Sequence, residues 1–437
     1  MLLKRWIFFI STISNPAGTA TVTGEMGEKL EKCDGSRHAV SMQNNTSEPM
    51  EPSEQFCPNS TCCARGQIGQ GTIAIHDRKR QRYRCKRCKQ TFSARRGTMF
   101  EGLRTATGLV VIVVTLLACG CPVQAIVQAY GLDERTVASW RDRAGKQCQR
   151  VHQAIVEQGQ LDLIHVQADE IRVKARSIVA WMGLAMMVST RLWLGGVVSC
   201  TRDSSLADRL LQQVRACSQA ACALLVCTDG WAAYPNSIKR AFRDKVKRTV
   251  GRGRPSLQVW SGLHIGTVIK QTVNKHLTGV LRQMSHGSIV QAMRLLQRSA
   301  GGQVLNTSYI ERFNGTVRER LATLTRKCRH AAQRLQALDT GMYLIGSTYN
   351  FCCFHQALNK QDAGEAQRLQ RQTPAMASGL TDHLWSISEL LRYKVAPAPW
   401  VEPKRRGRPR SRPLADPNVP KRPRGRPRKI PLSTFTV

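Results

Sequence analysis

Two closely spaced cysteine pairs, a helix-turn-helix pattern, and three strand-like runs followed by a helix and a fourth run predict a multidomain chain. The expected order is two small N-terminal modules, then an α/β domain built on a mixed central sheet, with disordered termini. At 437 residues the chain can hold two or three domains with a sizeable core. Its formal charge of +37 implies a polyanionic partner, and nucleic acid is the first candidate. An anionic membrane would need an anchor or a basic amphipathic helix, and neither stands out, so no membrane partner is expected.

Residues 1–50 are expected to be disordered, because 12–50 are polar and lack any periodicity. The opening MLLKRWIFFI has a Lys-Arg pair and a brief apolar run, shorter than a signal core. The cysteine pattern and basic tail downstream argue against export, so a cytoplasmic, nucleoid-associated protein is expected. The apolar stretch 105–119 is too short to span a bilayer comfortably.

Residues 51–101 hold Cys57, Cys62, Cys63, Cys85 and Cys88. Two knuckles about twenty residues apart that supply four thiolates make the zinc-ribbon pattern, so Cys57, Cys62, Cys85 and Cys88 are expected to hold one structural Zn2+. Cys63 is the substitute for Cys62, and free loop cysteines are the alternative. Arg65, Arg78, Lys79, Arg80, Arg82 and Arg84 between the pairs suit phosphates.

In residues 102–150, Pro122 opens a short helix, Gly131 closes it and Asp133 caps the next. Val137 and Trp140 should face inward, which makes a helix-turn-helix DNA-binding domain. Arg135, Ser139, Arg141 and Arg143 would then be offered to DNA, Arg135 and Ser139 nearest the N-terminal end. A plain helical hairpin fits the same pattern.

The catalytic domain is expected over 160–360. Runs 161–173, 178–190 and 192–201 read as an antiparallel meander, a helix follows from 205 to 217, and a buried strand ends in Thr228-Asp229-Gly230. This is the element order of the ribonuclease H-like fold, whose first and fourth strands lie side by side, which would bring Asp169 to Asp229. Asp229 can also be read as a turn residue, and Asp169 as a strand-end partner of Arg172 or Lys174. Glu170 should point to the opposite face. From 245 to 310 there is no acidic residue but ten Lys and Arg, expected as a basic insertion near 245–305 that lies along DNA. Residues 307–327 then form an amphipathic helix on which Glu311, Asn314 and Arg318 share a face. Ser308-x-x-Glu311 also reads as a capping box.

A helical extension is expected over 361–400 and a basic tail over 401–437. The tail carries Arg406-Gly407-Arg408-Pro409 and Arg424-Gly425-Arg426-Pro427, which resemble AT-hooks. In such a repeat glycine lets the backbone lie deep in a narrow minor groove while arginines run along it. A solvated basic tail is the alternative, and a third copy at 252–255 reads as a loop.

TDGWAAY at 228–234 and YIERFNGTVRERLATLTRK at 309–327 resemble the catalytic blocks of transposases of the insertion-sequence-one family and its longer relatives, DDE-type enzymes with a ribonuclease H-like fold. The Asp-Glu pair at 169 and 170, Trp181 and YNFCCFHQAL at 349–358 are similar too, and the likeness covers about residues 55–395. It implies a catalytic triad of Asp169, Asp229 and Glu311, with Asn314 and Arg318 in support. It also implies two catalytic Mg2+ ions about 4 Å apart, held by oxygen ligands. The expected function is a transposase that binds the ends of an insertion element and performs metal-dependent strand cleavage and strand transfer into target DNA, as a homo-oligomer, at least a dimer on DNA. The alternative is a non-catalytic DNA-binding regulator derived from a transposase.

Overall fold

In the computed structural model the described residues are 50–174, 179–220, 222–246, 254–274, 276–324, 334–361 and 369–402. Segment 1–49 and both Arg-Gly-Arg-Pro copies of the tail, at 406–409 and 424–427, lie outside the described residues.

The first described module is a three-stranded antiparallel sheet, β1 (Ile73–Asp77), β2 (Arg82–Cys85) and β3 (Thr91–Ser93). Tyr83, Phe92 and Ile73 pack with Cys57, Cys62 and Cys85 into a small core of their own. So few apolar side chains need a further tie, and the sulfur cluster is in position to supply it.

Three helices follow: α1 (Thr107–Ala118), α2 (Val123–Tyr130) and α3 (Glu134–Ile155). Gly131 adopts a left-handed φ of 62°, which stops α2, and the Asp133 side chain accepts from Thr136 N at 3.1 Å to start α3. Val137 and Trp140 are buried as the pattern requires. α3 does not end with this module. It continues against α8 (Leu335–Cys352), and at Gly145 the helices are so close that a Cβ would sit 2.2 Å from the Thr340 carbonyl oxygen. Ala144, Cys148 and Val151 belong to the same core as Leu163 and Leu184, so α1 to α3 share one continuous interior with the sheet.

The central sheet has six strands in the order β11-β10-β7-β4-β5-β6. β4 (His165–Lys174), β5 (Val179–Met187) and β6 (Trp193–Ser199) form the expected antiparallel meander. After α4 (Ser204–Cys217), β7 (Leu224–Asp229) lies parallel to β4, in register from His165↔Leu225 to Ala168↔Thr228. Enclosed by neighbours on both sides, β7 has the uninterrupted apolar run that such a strand needs. α5 (Ala233–Ala241) and a hairpin of β8 (Arg243–Val246) and β9 (Ser256–Val259) lead to β10 (Leu263–Val273).

The stretch expected as a basic insertion is largely part of this sheet. β10 pairs parallel with β7, and β11 (His276–His286) pairs antiparallel with β10. Residues 263–268 of β10 are all buried, Leu263, Ile265 and Val268 among them, and this burial outweighs the charge pattern that suggested an appendage. α6 (Ile289–Arg298) covers β7 and β10, and α7 (Ser308–Arg320) crosses β4 and β5. α7 is shorter than the expected 307–327 helix. Leu321 takes an extended conformation, a 3-10 turn follows at Ala322–Leu324, and 325–333 lie outside the described residues.

The C-terminal extension holds two short helices, α9 (Pro374–Ala377) and α10 (Ile387–Arg392). It returns to the N-terminal module: Met99 N donates to Leu391 O at 3.2 Å, and Lys394 Nζ donates to Gln55 Oε1. Among the described residues no helix is long and apolar enough to cross a membrane.

Candidate metal centres

In the small module Cys57, Cys62, Cys85 and Cys88 bring their sulfurs within 4.8 Å of one another. The Cys57–Cys88 and Cys62–Cys85 sulfurs are 3.6 and 3.8 Å apart. A tetrahedral ion with Zn–S bonds of about 2.3 Å requires edges of about 3.8 Å, so the four residues fit zinc. Burial pushes the thiols of Cys57 and Cys62 up, a cost that thiolate ligation to a cation removes. Cys63 is exposed and outside the group, which leaves Cys62 as the fourth ligand.

The second centre lies where β7 ends at Asp229 against the middle of β4, which runs on to Lys174 and so does not end at Asp169 as the sequence suggested. Asp229 is the last residue of β7, and Asp169 extends beyond the last parallel pair, Ala168↔Thr228. A cavity of about 540 Å³ opens here, lined by Asp169, Asp229, Glu311, Arg202, Trp231 and Lys270 among others. All three sequence-predicted carboxylates thus reach one cavity, but on different terms. Asp169 Oδ2 accepts from Asn314 Nδ2 at 2.8 Å, and its Oδ1 accepts from Glu170 N at 2.8 Å. Burial first, then the charges of Glu170, Asp229 and Glu311, push the Asp169 carboxyl up to about 6, although the Glu170 N–H bond lowers it. Asn314 Oδ1 is buried with no hydrogen-bond partner among the described residues, so the amide that fixes Asp169 has an unmet demand beside the carboxylates.

Glu311 is held apart. Its Oε1 accepts from Lys270 Nζ at 2.7 Å and from Thr307 Oγ1 at 2.6 Å. Although burial alone would raise it, these two bonds and the Lys270 charge hold the Glu311 carboxyl below the usual range. The capping box does not form. Ser308 lies inside the helix and pairs with Asn306 Oδ1, while the first free amides of α7, Tyr309 N and Ile310 N, donate to Gln167 Oε1 at 3.0 and 3.1 Å. Gln167 Nε2 donates to Asn306 O and Oδ1 at 2.8 and 3.1 Å. One buried glutamine of β4 therefore sets where the Glu311-bearing helix begins.

Glu170 requires a correction. Asp169 and Glu170 do turn toward different helices, Asp169 to α7 and Glu170 to α5, but ligand atoms of Asp169, Glu170 and Asp229 all lie within 4.8 Å of one another. Glu170 accepts from Tyr234 Oη at 2.9 Å and from Arg202 Nε at 2.6 Å. Strand alternation decides the direction of departure, but where β4 runs past the end of β7 at Asp229 two adjacent carboxylates can converge on one point. This acidic group is suited to a hard divalent cation such as Mg2+. Its adjacency to Asp169 was the available sequence signal. Gln167, Lys270 and Arg202 carried none.

The remaining site residues are dispersed. Arg318 is exposed on α7 and makes no hydrogen bond or ion pair with the carboxylates among the described residues. On α3, Arg135 and Ser139 are exposed, but Arg141 pairs with Asp142 Oδ1 at 3.0 Å and Arg143 donates to the carbonyls of Met99 and Glu101. From Trp140 onward one face of α3 packs into the interior, and Arg143 ties the helix to the Met99–Glu101 segment. The sequence matches no protein-family model and no curated protein.

Proposed function

We propose that this protein is a DNA transposase of the DDE type, with a ribonuclease H-like catalytic domain, that binds the ends of an insertion element and performs metal-dependent strand cleavage and transfer. The observation that carries this reading is the convergence of Asp169, Asp229 and Glu311, from two parallel strands and a crossing helix, on one cavity. The strand order, an antiparallel meander with β7 parallel beside its first strand, supports the fold. The charge of +37 and the exposed Arg135 and Ser139 support DNA as partner.

In this reading Asp169, Asp229 and Glu311 hold two Mg2+ ions, with Glu170 at hand as a fourth carboxylate. Bound there, the ions supply charge stabilisation for in-line displacement at a phosphodiester. Asn314 orients Asp169, Gln167 sets the start of α7, and Lys270, released from Glu311, offers its ammonium to a phosphate. Water attacks phosphorus and the P–O3′ bond breaks, which leaves a 3′ hydroxyl on the element end; that hydroxyl then attacks a phosphodiester of target DNA, whose own P–O3′ bond breaks and leaves a 3′ hydroxyl on the target strand. Two ends must be held together, so a homo-oligomer of at least two chains belongs to the proposal.

A second reading, a DNA-binding regulator without catalysis, draws on the ion pairs Lys270–Glu311 and Arg202–Asp229, which already offset the acidic charge. Purified protein with Mg2+ and a duplex that carries an element end decides between them. The transposase reading expects nicking and joining of the freed 3′ end to a second duplex, both lost in Asp229→Ala. Absence of nicking, or nicking that survives Asp229→Ala, favours the regulator.

A further inference from the structure

Arg202 follows β6 in the loop that leads into α4, and it is the cation nearest the acidic group. Its Nε donates to Glu170 Oε1 at 2.6 Å, and its Nη2 lies 3.6 Å from Asp229 Oδ2. The guanidinium lies over two indoles, 5.1 Å from the Trp181 ring centre and 4.7 Å from that of Trp231. The Glu170 side chain is only 3% exposed, and Tyr234 Oη fixes its other oxygen at 2.9 Å, whereas the Arg202 side chain is 34% exposed and has a route to solvent.

A buried carboxylate with two acidic neighbours is costly unless a positive charge joins it. Arg202 supplies that charge and uses oxygens of Glu170 and Asp229 that a divalent ion would also need. An oxygen that faces a guanidinium cannot turn the same lone pair to a metal, so the two cations exclude each other there. Trp181 and Trp231 each add a cation–π contact to the guanidinium, which a planar, weakly hydrated cation makes better than an ammonium.

We infer that Arg202 is a resident counter-cation that a divalent ion must displace from Glu170 and Asp229, so that this side chain sets the metal concentration at which the acidic cavity loads. The inference rests on the divalent-metal reading of the cavity and extends it to a residue outside the proposed triad.

The test is a Mn2+ titration of the full-length protein without DNA, followed by the electron paramagnetic resonance signal of free Mn2+. Arg202→Gln removes the competing charge and should tighten Mn2+ binding about tenfold. Arg202→Lys, which keeps the charge but not the full indole contact, should tighten it less, about threefold, and Asp229→Ala should abolish the site. If wild type binds Mn2+ in an Asp229-dependent way and Arg202→Gln binds equally or more weakly, the inference is overturned while the metal reading stands. If no form binds Mn2+ in an Asp229-dependent way, the metal reading fails and the inference with it. Should Arg202→Gln not fold, as judged by thermal unfolding, Trp231→Leu loosens the guanidinium and should tighten binding about threefold; unchanged affinity there overturns the inference too.

Discussion

Replacing Gln167 by Met would test how the Glu311 helix is positioned. The side chain keeps nearly its volume but loses four hydrogen bonds, to Tyr309 N, Ile310 N, Asn306 O and Asn306 Oδ1, at 2.8 to 3.1 Å. At about 1 kcal/mol net for each bond, the loss sums to about 4 kcal/mol. The thioether recovers about 1 kcal/mol of apolar transfer in a site that is otherwise buried. The expected destabilisation is thus about 3 kcal/mol, read as a lower urea midpoint with an unchanged slope. Because Ile310 is fully buried, its amide has no ready substitute in water, so the first turn of α7 should also lose hydrogen-exchange protection. Glu311 sits on that turn, and a displacement of about 1 Å at a reacting centre costs about a hundredfold in rate. The magnesium-dependent cleavage proposed above should therefore fall by that order even where the variant remains folded. A stability loss below about 1 kcal/mol, together with wild-type protection of α7, would refute the claim that Gln167 sets the helix start.

Three further outcomes are expected. Metal analysis of the purified protein should return one zinc per chain, and chelation or Cys85→Ser should unfold the cysteine module, whose small core lacks enough apolar area to stand alone; a zinc-free, folded module would contradict the ribbon. Gly145→Ala should destabilise the protein by about 3 kcal/mol or more, because the new methyl group meets the Thr340 backbone at 2.2 Å and must push α3 from α8; an unchanged melting temperature would show that this joint is loose. The third concerns His152, whose imidazole burial pushes down to about 4 although its bond to the Leu194 carbonyl raises it. The unfolded chain takes up a proton as pH falls through about 6.5, whereas the folded one does not until about 4, so this stability is complete above pH 6.5 and is lost between those values. The loss amounts to about 3 kcal/mol. Urea midpoints at pH 7 and pH 4.5 should show this slope in wild type and not in His152→Gln; parallel slopes would count against it.

The residues that were legible in the sequence are those whose signal is local. Cysteine spacing named the four sulfurs, Gly131 and Asp133 marked the turn between α2 and α3, and the apolar runs gave the strand order that brings Asp169 beside Asp229. Each rests on the period, the cap or the spacing of neighbours in the chain. Charge patterning gave no sign that the acid-free interval holds two strands of the central sheet, where the buried run 263–268 pairs with β7. On α3, helix-turn-helix spacing offers four residues to DNA, yet Arg143 is committed to the carbonyls of Met99 and Glu101, partners more than forty residues away that spacing does not reveal.

The amino-acid order by itself determined the cysteine cluster, the meander and the end of β7 at Asp229, since covalent neighbours and a two-residue or 3.6-residue period suffice for those. Only the tertiary structure decided that Glu170 joins Asp169 and Asp229, that Gln167 caps α7 from 142 residues away, and that Arg202 and Lys270 neutralise the cavity. These partnerships depend on how far strands overlap before they end and on which loops fold over that edge. Both are set by the packing of the whole core, and no stretch of chain records either one.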